Sequence, residues 1–403
     1  MDKDRIIFHV DVNNAFLSWT AVKLLQEGYE TDIRTIPAVI GGDESKRHGI
    51  VLAKSPIAKK MGIKTAETLY SARTKCKNLS IFSPDFEFYK KKSNELFTFL
   101  SKLTPDIEIF SIDECFLDLT NTNYLYKDYV SLAYKIKNEI YSKYGFSVNV
   151  GIGNNKLCAK MASDFEKPNR VHTLYLNEIE RKMWPLDVGE LFMVGRKTAE
   201  KLKRLGINTI GELAVSDLGF LKKYFKNQAG IMWEYANGID NSPVVSSFSA
   251  YKCISVSETF EEDVLDIERL KATLLRQSQT VGKRLRAQKM YANTIAITIK
   301  TFDFKQISKQ MKLNVPINST NNIYDNAVKL LSEFWDGTKI RNLGIRLNNF
   351  TNKCCEQSSL FEVSCESDNI VNKILDEIND KYGNSSLLLA ATFKEKNLED
   401  NNE

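Results

Sequence analysis

His9-Val10-Asp11-Val12-Asn13-Asn14-Ala15-Phe16 near the start of the chain, and Ser111-Ile112-Asp113-Glu114-Cys115-Phe116-Leu117-Asp118 further on, decide the fold. Asp11 follows the apolar, β-prone run Ile6-Ile7-Phe8-His9-Val10, and Asp113-Glu114 follows Ile107-Glu108-Ile109-Phe110-Ser111-Ile112. Both acidic groups are therefore predicted at the ends of buried strands. Three carboxylates gathered there would repel one another unless a cation neutralised them, and hard divalent ions such as Mg²⁺ take oxygen ligands. Successive strand residues face opposite sides, so Asp113 and Glu114 can serve one cation only at a strand end, a turn or a bulge. Strand character resumes at once in Cys115-Phe116-Leu117-Asp118-Leu119, which implies such an irregularity between the two. Taken singly, each string reads equally well as a turn former or a solvated hairpin tip. Together they suggest a metal site.

The 403 residues, 43% of them apolar, suffice for several cores. Seven cysteines without paired metal-finger spacing, and no signal peptide before the first strand, predict a reducing, cytoplasmic setting. The longest apolar run near the C-terminus, Leu387 to Ala391, is far too short to cross a bilayer, which argues against a membrane function. The net charge of +5 is unevenly divided: residues 356–403 hold four Lys against eleven Asp or Glu, a net of −7, so residues 1–355 carry +12. Residues 251–350 hold sixteen basic and ten acidic side chains, and Arg276, Lys283, Arg284, Arg286 and Lys289 crowd one predicted helix and its end. Such a distribution is either solvated surface or the footprint of a phosphate-polymer binder.

Periodicity predicts a strand over 5–11, a helix over 15–25, short strands and helices over 28–83 around the Gly41-Gly42 turn, and a helix over 87–102. Beyond the acidic hairpin come a helix over 124–144, a strand over 147–152 and a helix over 156–165. Gly151-Ile152-Gly153 is too short for a dinucleotide fingerprint. Residues 176–241 read as short helices with glycine turns. There, Met193 to Leu202 and Leu205 to Leu213 form helix-hairpin-helix patterns whose N–H groups can bind phosphate without reading bases, or a helical unit that merely packs. From Tyr251 the order strand, helix, strand, strand, helix, strand is a split βαβ pattern.

From Asp11 to Gln357-Ser358-Ser359-Leu360-Phe361, this order resembles a Y-family translesion DNA polymerase of the DNA polymerase IV and UmuC-like group. The most specific parts are the Asp-x-Asn-x-x-Phe start, the Ser-Ile-Asp-Glu-Cys-Phe-Leu-Asp string, and Gly151 through Lys167-Pro168. The resemblance implies an α/β and α+β multidomain right hand. Residues 1–27 and 84–175 would be the palm, 28–83 small fingers, 176–241 a helical thumb, 247–350 a split βαβ little finger, and 351–403 a tail. It implies that Asp11, Asp113 and Glu114 are catalytic and, with the Val12 carbonyl, hold two Mg²⁺ ions for nucleotidyl transfer. Asn13, Asn14, Ala15, Phe16, Lys54, Ser55, Lys59 and Lys167 would line the nucleotide site, with Phe16 the steric gate against a ribose 2′-hydroxyl. On helical spacing alone Phe16 would be core. Gln357, Leu360 and Phe361 would dock a sliding clamp, and Ile370, Ile374 and Ile378 predict a helix beyond them that would cover that peptide.

Two places depart from the family pattern. Pro56 and Lys59 stand where a Tyr and an Arg commonly meet the triphosphate, so a hydroxyl and a planar fork are missing. That departure points toward the UmuC-like branch, whose members work with accessory mutagenesis proteins. Met193-Val194-Gly195 lacks the first glycine of its hairpin. The expected function is low-fidelity, template-directed DNA synthesis on primer-template DNA with deoxynucleoside triphosphates. Its rivals are a catalytically weak, clamp-associated DNA-binding repair factor and a two-metal palm enzyme such as a nucleotide cyclase, although a cyclase needs no duplex grip.

Overall fold

Ile7–Val12 forms β1, with Phe8, Val10 and Val12 on one face and Ile7, His9 and Asp11 on the other, and all six residues are buried, as the centre of a covered sheet requires. The structure is a computed structural model that describes residues 5–44, 47, 49–122, 124–246, 252–352 and 365–383, the last stretch with side chains from 371 onward. The chain divides into two units, residues 1–44 with 48–248, and 45–47 with 249–403.

In the first unit, β1 is followed by α1 (Ala15–Gln26), β2 (Ala38–Gly41), β3 (Val51–Lys54), α2 (Pro56–Lys60), α3 (Leu69–Lys75), β4 (Ser80–Phe82) and α4 (Phe86–Leu100). Then come β5 (Ile107–Ile109), β6 (Glu114–Asp118), α5 (Tyr129–Tyr144), β7 (Val148–Gly153), α6 (Lys156–Asp164) and β8 (Val171–Leu174). The main sheet runs β5-β6-β1-β7-β8, with β1 antiparallel to both neighbours and β7 parallel to β8. Phe8, Val10 and Val12 point into a core with Trp19, Tyr89, Leu96, Ile136 and Ile140. Ile7 packs on the opposite face with Phe116 and Ala159 of α6.

The strand expected through Ile112 stops at Ile109, because the Phe110 and Ser111 N–H groups both donate to the Glu114 carbonyl and turn the chain. Helix α5 begins at Tyr129 rather than Tyr124, where Asp128 caps it by accepting from the N–H groups of Val130 and Ser131. Gly151 and Gly153 do the work of close packing. A Cβ on Gly151 would lie 2.0 Å from the Ala159 carbonyl oxygen and 2.4 Å from the Ser163 nitrogen, both backbone atoms of α6.

A smaller sheet, β3-β2-β4, packs Ala38 and Ile40 against Leu17 and Ala21 of α1. The helical stretch holds α7 (Ile179–Lys182), α8 (Arg196–Arg204), α9 (Ile210–Ala214), α10 (Leu218–Phe225) and α11 (Gln228–Ala236) around Leu202, Ile210, Leu213 and Leu221. A reciprocal box between Thr209 and Glu212 fixes the start of α9.

The second unit is β9 (Cys253–Val264), α12 (Ile267–Ala287), β10 (Tyr291–Thr301), β11 (Gln306–Ile317), α13 (Thr320–Phe334), β12 (Ile340–Thr351) and α14 (Cys365–Tyr382). Its sheet runs β11-β10-β12-β9 with every neighbour antiparallel. Thus β9 and β10 run parallel with β12 between them, and β11 and β12 run parallel with β10 between them, two interleaved split βαβ units. Leu270, Leu274, Val281, Ile323 and Leu331 of α12 and α13 cover the Ile295, Ile297 and Ile345 face. The spacing of Ile370, Ile374 and Ile378, expected to mark a helix, does locate α14, in which Ile374 is 49% exposed. The clamp-like residues Gln357, Leu360 and Phe361 lie outside the described residues.

Candidate active site

Strand register assembles the acidic centre. Asp11 pairs directly with Glu114 across β1 and β6, and His9 with Phe116, which puts all four on the face covered by α6. A nitrogen of His9 and carboxylate oxygens of Asp11 and Glu114 lie within 4.8 Å of one another. Asp113 sits one residue before the strand, in the turn, and accepts from the Ser111 hydroxyl at 2.6 Å. The irregularity required by the sequence is therefore present, although the tight trio contains His9 in place of Asp113. The Val12 N–H donates to the Asp113 carbonyl at 3.0 Å, which binds the acidic turn to the end of β1.

Helix α6 and its exit bring two ammonium groups to these carboxylates. Lys160 Nζ is 2.7 Å from Glu114 and 3.5 Å from Asp11, and Lys167 Nζ is 2.8 Å from Asp11 and 2.9 Å from Asp164. Lys156, a turn earlier, is held by both oxygens of Glu108 at 2.7 and 2.8 Å. Burial works against the charged form of Glu114, yet the Lys160 ammonium bonded to it holds the carboxyl below the ordinary carboxylate range. Burial raises Asp113 above the ordinary carboxylate range, opposed by the Ser111 bond and reinforced by the charges of Asp11 and Glu114.

His9 is fully buried, and its Nδ1 lies 2.8 Å from the Ser163 hydroxyl, which itself donates to the Lys160 carbonyl. Ser163 has one proton to give, so Nδ1 is the donor and the neutral ring turns the lone pair of Nε2 toward Glu114, 3.2 Å away. Nε2 has no hydrogen-bond partner. Sequence reasoning passed over His9, although its position two residues before Asp11 on a strand already placed both on one face.

The remaining candidates separate into ligand-facing and structural groups. Phe16 is half-buried and stacks on Tyr89 at 4.7 Å with an interplanar angle of 10°. Asn14 takes a left-handed φ of 48° before α1 and is exposed, whereas Ala15 is buried. Asn13 is a buried hub: it donates to Asn149 and accepts from Ser147 and from the Asn169 N–H, tying the chain after Lys167 to β1 and β7. Ser55, expected at the nucleotide, is completely buried. Its oxygen accepts from the N–H groups of Ala38 and Ala58, so it caps α2 and is closed to a ligand. Lys59 is exposed, and Lys54 is half-buried and donates to Thr65 at 2.8 Å. Burial and the nearby Lys59 charge lower the Lys54 pKa.

Three stretches of the chain match one family: residues 10–164 match impB/mucB/samB, 251–360 its C-terminal domain, and 177–207 its helix-hairpin-helix motif. Among curated relatives, DNA polymerase IV of Clostridium acetobutylicum is 46% identical over 97% of this chain and 99% of its own length. DNA polymerase IV 2 of Bacillus subtilis is 32% identical over 98% and 96%. A solved Y-family DNA polymerase chimera superposes with a TM-score of 0.76 at 24% identity, over 86% of this chain and all of the other. Fold and site together define a right-handed Y-family polymerase architecture, with palm, fingers, thumb and little finger. The chain belongs to the impB/mucB/samB family. Relatives named DNA polymerase IV at this identity run against the lean toward the UmuC-like branch drawn from Pro56 and Lys59.

The family uses a divalent metal, and the residues present fit one. Carboxylate oxygens of Asp11 and Glu114 and a nitrogen of buried His9 converge within 4.8 Å, and Asp113 stands in the adjoining turn. Among the described residues no helix is long and apolar enough to cross a membrane.

Proposed function

We infer that this chain is a template-directed, low-fidelity DNA polymerase of translesion synthesis, which transfers a nucleotidyl group from a deoxynucleoside triphosphate to a primer 3′-hydroxyl. The observation that carries this reading is the convergence of Asp11 and Glu114 at paired strand ends, flanked by Lys160 and Lys167, within a Y-family fold. In this reading the palm is 1–27 with 84–175, the fingers 28–83, the thumb 176–241, the little finger 247–350 and the tail 351–403.

Asp11, Asp113, Glu114 and the Val12 carbonyl would hold two Mg²⁺ ions, which when bound supply the positive charge needed at the reacting phosphate and primer oxygen. Lys167, 37% exposed at its side chain, is placed to exchange Asp11 for the triphosphate. Lys59 and Lys54 add charge from the fingers segment without the geometric fork of an arginine. Phe16, backed by Tyr89, presents a ring face to the sugar and rejects a 2′-hydroxyl by contact.

The sheet of the second unit supports a duplex grip. On the face away from α12 and α13, cross-strand register builds the rows Ser308-Thr298-Gly344-Ser257, Gln310-Ala296-Arg346-Ser255 and Gln306-Lys300-Asn342-Thr259. These residues are small, amidic or basic, with no acid among them, a surface that a phosphate backbone can approach closely without base readout. The Gln357, Leu360 and Phe361 peptide docks a sliding clamp by extended-strand recognition in this reading, on the strength of its sequence. A clamp-associated factor without chemistry would have no use for the converged Asp11 and Glu114 pair.

Primer extension tests the assignment. Asp113→Ala or Glu114→Ala abolishes extension with Mg²⁺ while leaving primer-template affinity near the parental value. Extension by both variants at the parental rate overturns it.

A further inference from the structure

Helix α14 meets its neighbour with its polar side. Asp376 accepts two bonds from the Arg286 guanidinium, at 2.7 and 2.9 Å, and Lys283 Nζ lies 2.6 Å from Asp380. Asn372 on the same side is 4% exposed. Part of its apolar surface stays open: Val371, Ile374 and Tyr382 are 53%, 49% and 67% exposed, while Leu375 and Ile378 are half-buried. A helix packed for permanence buries its apolar stripe. Here ion pairs make the contact with α12, beside a cleft of about 520 Å³ lined by both helices.

The two partners in this contact are not equally fixed. Arg286 is 13% exposed at its side chain and also donates to the Asn318 carbonyl at 2.8 Å, so the cation stays with the body of the unit. The acids sit on a helix reached only after residues 353–364, in a stretch, 356–403, that carries a net −7 against the +6 of residues 251–350. Arg284, next to Lys283, is exposed and donates to the Ser255 carbonyl, which continues the positive surface to the edge strand β9.

We propose that α14 is a detachable acidic cover that competes with nucleic-acid phosphate for Lys283 and Arg286, so that DNA reaching from the sheet face round the β9 edge displaces it and gains an additional basic surface on α12. The inference rests on the DNA polymerase reading. In it the carboxylates of Asp376 and Asp380 occupy the positions that phosphate oxygens take on binding, and Arg286 keeps its fork geometry for either anion.

Hydrogen exchange on the full chain tests this directly, without a variant. With a saturating primer-template duplex at 50 mM KCl, the backbone amides of 366–382 lose protection; full retention of protection by the DNA-bound chain overturns the proposal. The parental affinity measured in the same samples reports separately on whether the chain binds DNA at all. Asp376→Asn with Asp380→Asn binds duplex about tenfold more tightly than the parent at 50 mM salt and equally at 200 mM. Two unmasked cations, each adding about 0.9 to the salt slope, give that difference over a fourfold salt change. Adding Lys283→Gln and Arg286→Gln returns the affinity to the parental value. Equal affinity of the Asn pair and the parent at both salts makes α14 a fixed brace and sinks the idea.

Discussion

Gly151→Ala inserts one methyl group where the structure has no room for it. The added Cβ would stand 2.0 Å from the Ala159 carbonyl oxygen and 2.4 Å from the Ser163 nitrogen, and both atoms are backbone. No rotamer can relieve the clash. Helix α6 must retreat from β7 by more than about 1 Å to reach ordinary contact, at a cost of about 1–3 kcal/mol or somewhat more, as for other overpacked cores. The same helix carries Lys160, 2.7 Å from Glu114, and leads into Lys167, 2.8 Å from Asp11. A shift of that size takes an ammonium group out of hydrogen-bond range of its carboxylate and, as misplacement by about 1 Å can, lowers turnover by roughly 10²-fold. Thermal unfolding and single-turnover primer extension read the two effects separately. Gly230→Ala is the control: it lies inside α11, its Cβ would meet nothing within 4 Å, and helix propensity makes it neutral or stabilising by up to about 1 kcal/mol. If Gly151→Ala melts with the parent and extends within twofold of it, the account of α6 as a helix fixed by glycine contact is wrong.

Phe16→Ala admits ribonucleotides much more readily in extension assays and, because the ring is only partly buried, costs less than the roughly 3–5 kcal/mol of a core Phe; a large stability loss with unchanged sugar selectivity would make Phe16 a packing residue. Met193, at a φ of 70° and 73% exposed, occupies the glycine-favouring region at the first thumb hairpin. Met193→Gly is therefore expected to raise stability by about 1 kcal/mol, seen as a higher denaturant midpoint, and a lower midpoint would contradict the strain. Leu360→Ala with Phe361→Ala removes clamp-stimulated processivity and leaves clamp-free extension intact, and equal stimulation of variant and parent would reject the docking peptide.

Much of the architecture could be read in advance because its elements are written with strong periodicity. The buried run of β1 and the α6 helix came out within a few residues of their observed limits. The metal-site strings were legible as a pair because strand ends restrict where Asp11 and Glu114 can go. Legibility failed where a side chain's partner comes from a distant stretch. Ser55 looks like a ligand group beside Lys54, but Ala38 and Ala58 claim its oxygen. Asn13 belongs to the motif, yet its amide is spent on Ser147, Asn149 and Asn169. Period alone located α14, but not the ion pairs of Asp376 and Asp380 that join it to α12. Gly151-Ile152-Gly153 was rightly set aside as a nucleotide fingerprint, but only the proximity of α6 explains why those glycines are needed.

The position of β1 in its sheet also has a consequence for how the chain is made. It is the central strand of five, yet its partners β6 and β7 follow only after the whole β2-β3-β4 insertion. At a synthesis rate of about 5–20 residues per second, Ile7–Val12 emerges from the ribosome several seconds before Glu114 exists to lie opposite Asp11. During that interval a mostly apolar strand has both hydrogen-bonding edges open, and Asp11 stands without the carboxylate that will face it. Assembly of the acidic centre thus waits for β6 and α6 although β1 is made first, and a truncated chain ending before β7 would expose an unpaired strand edge.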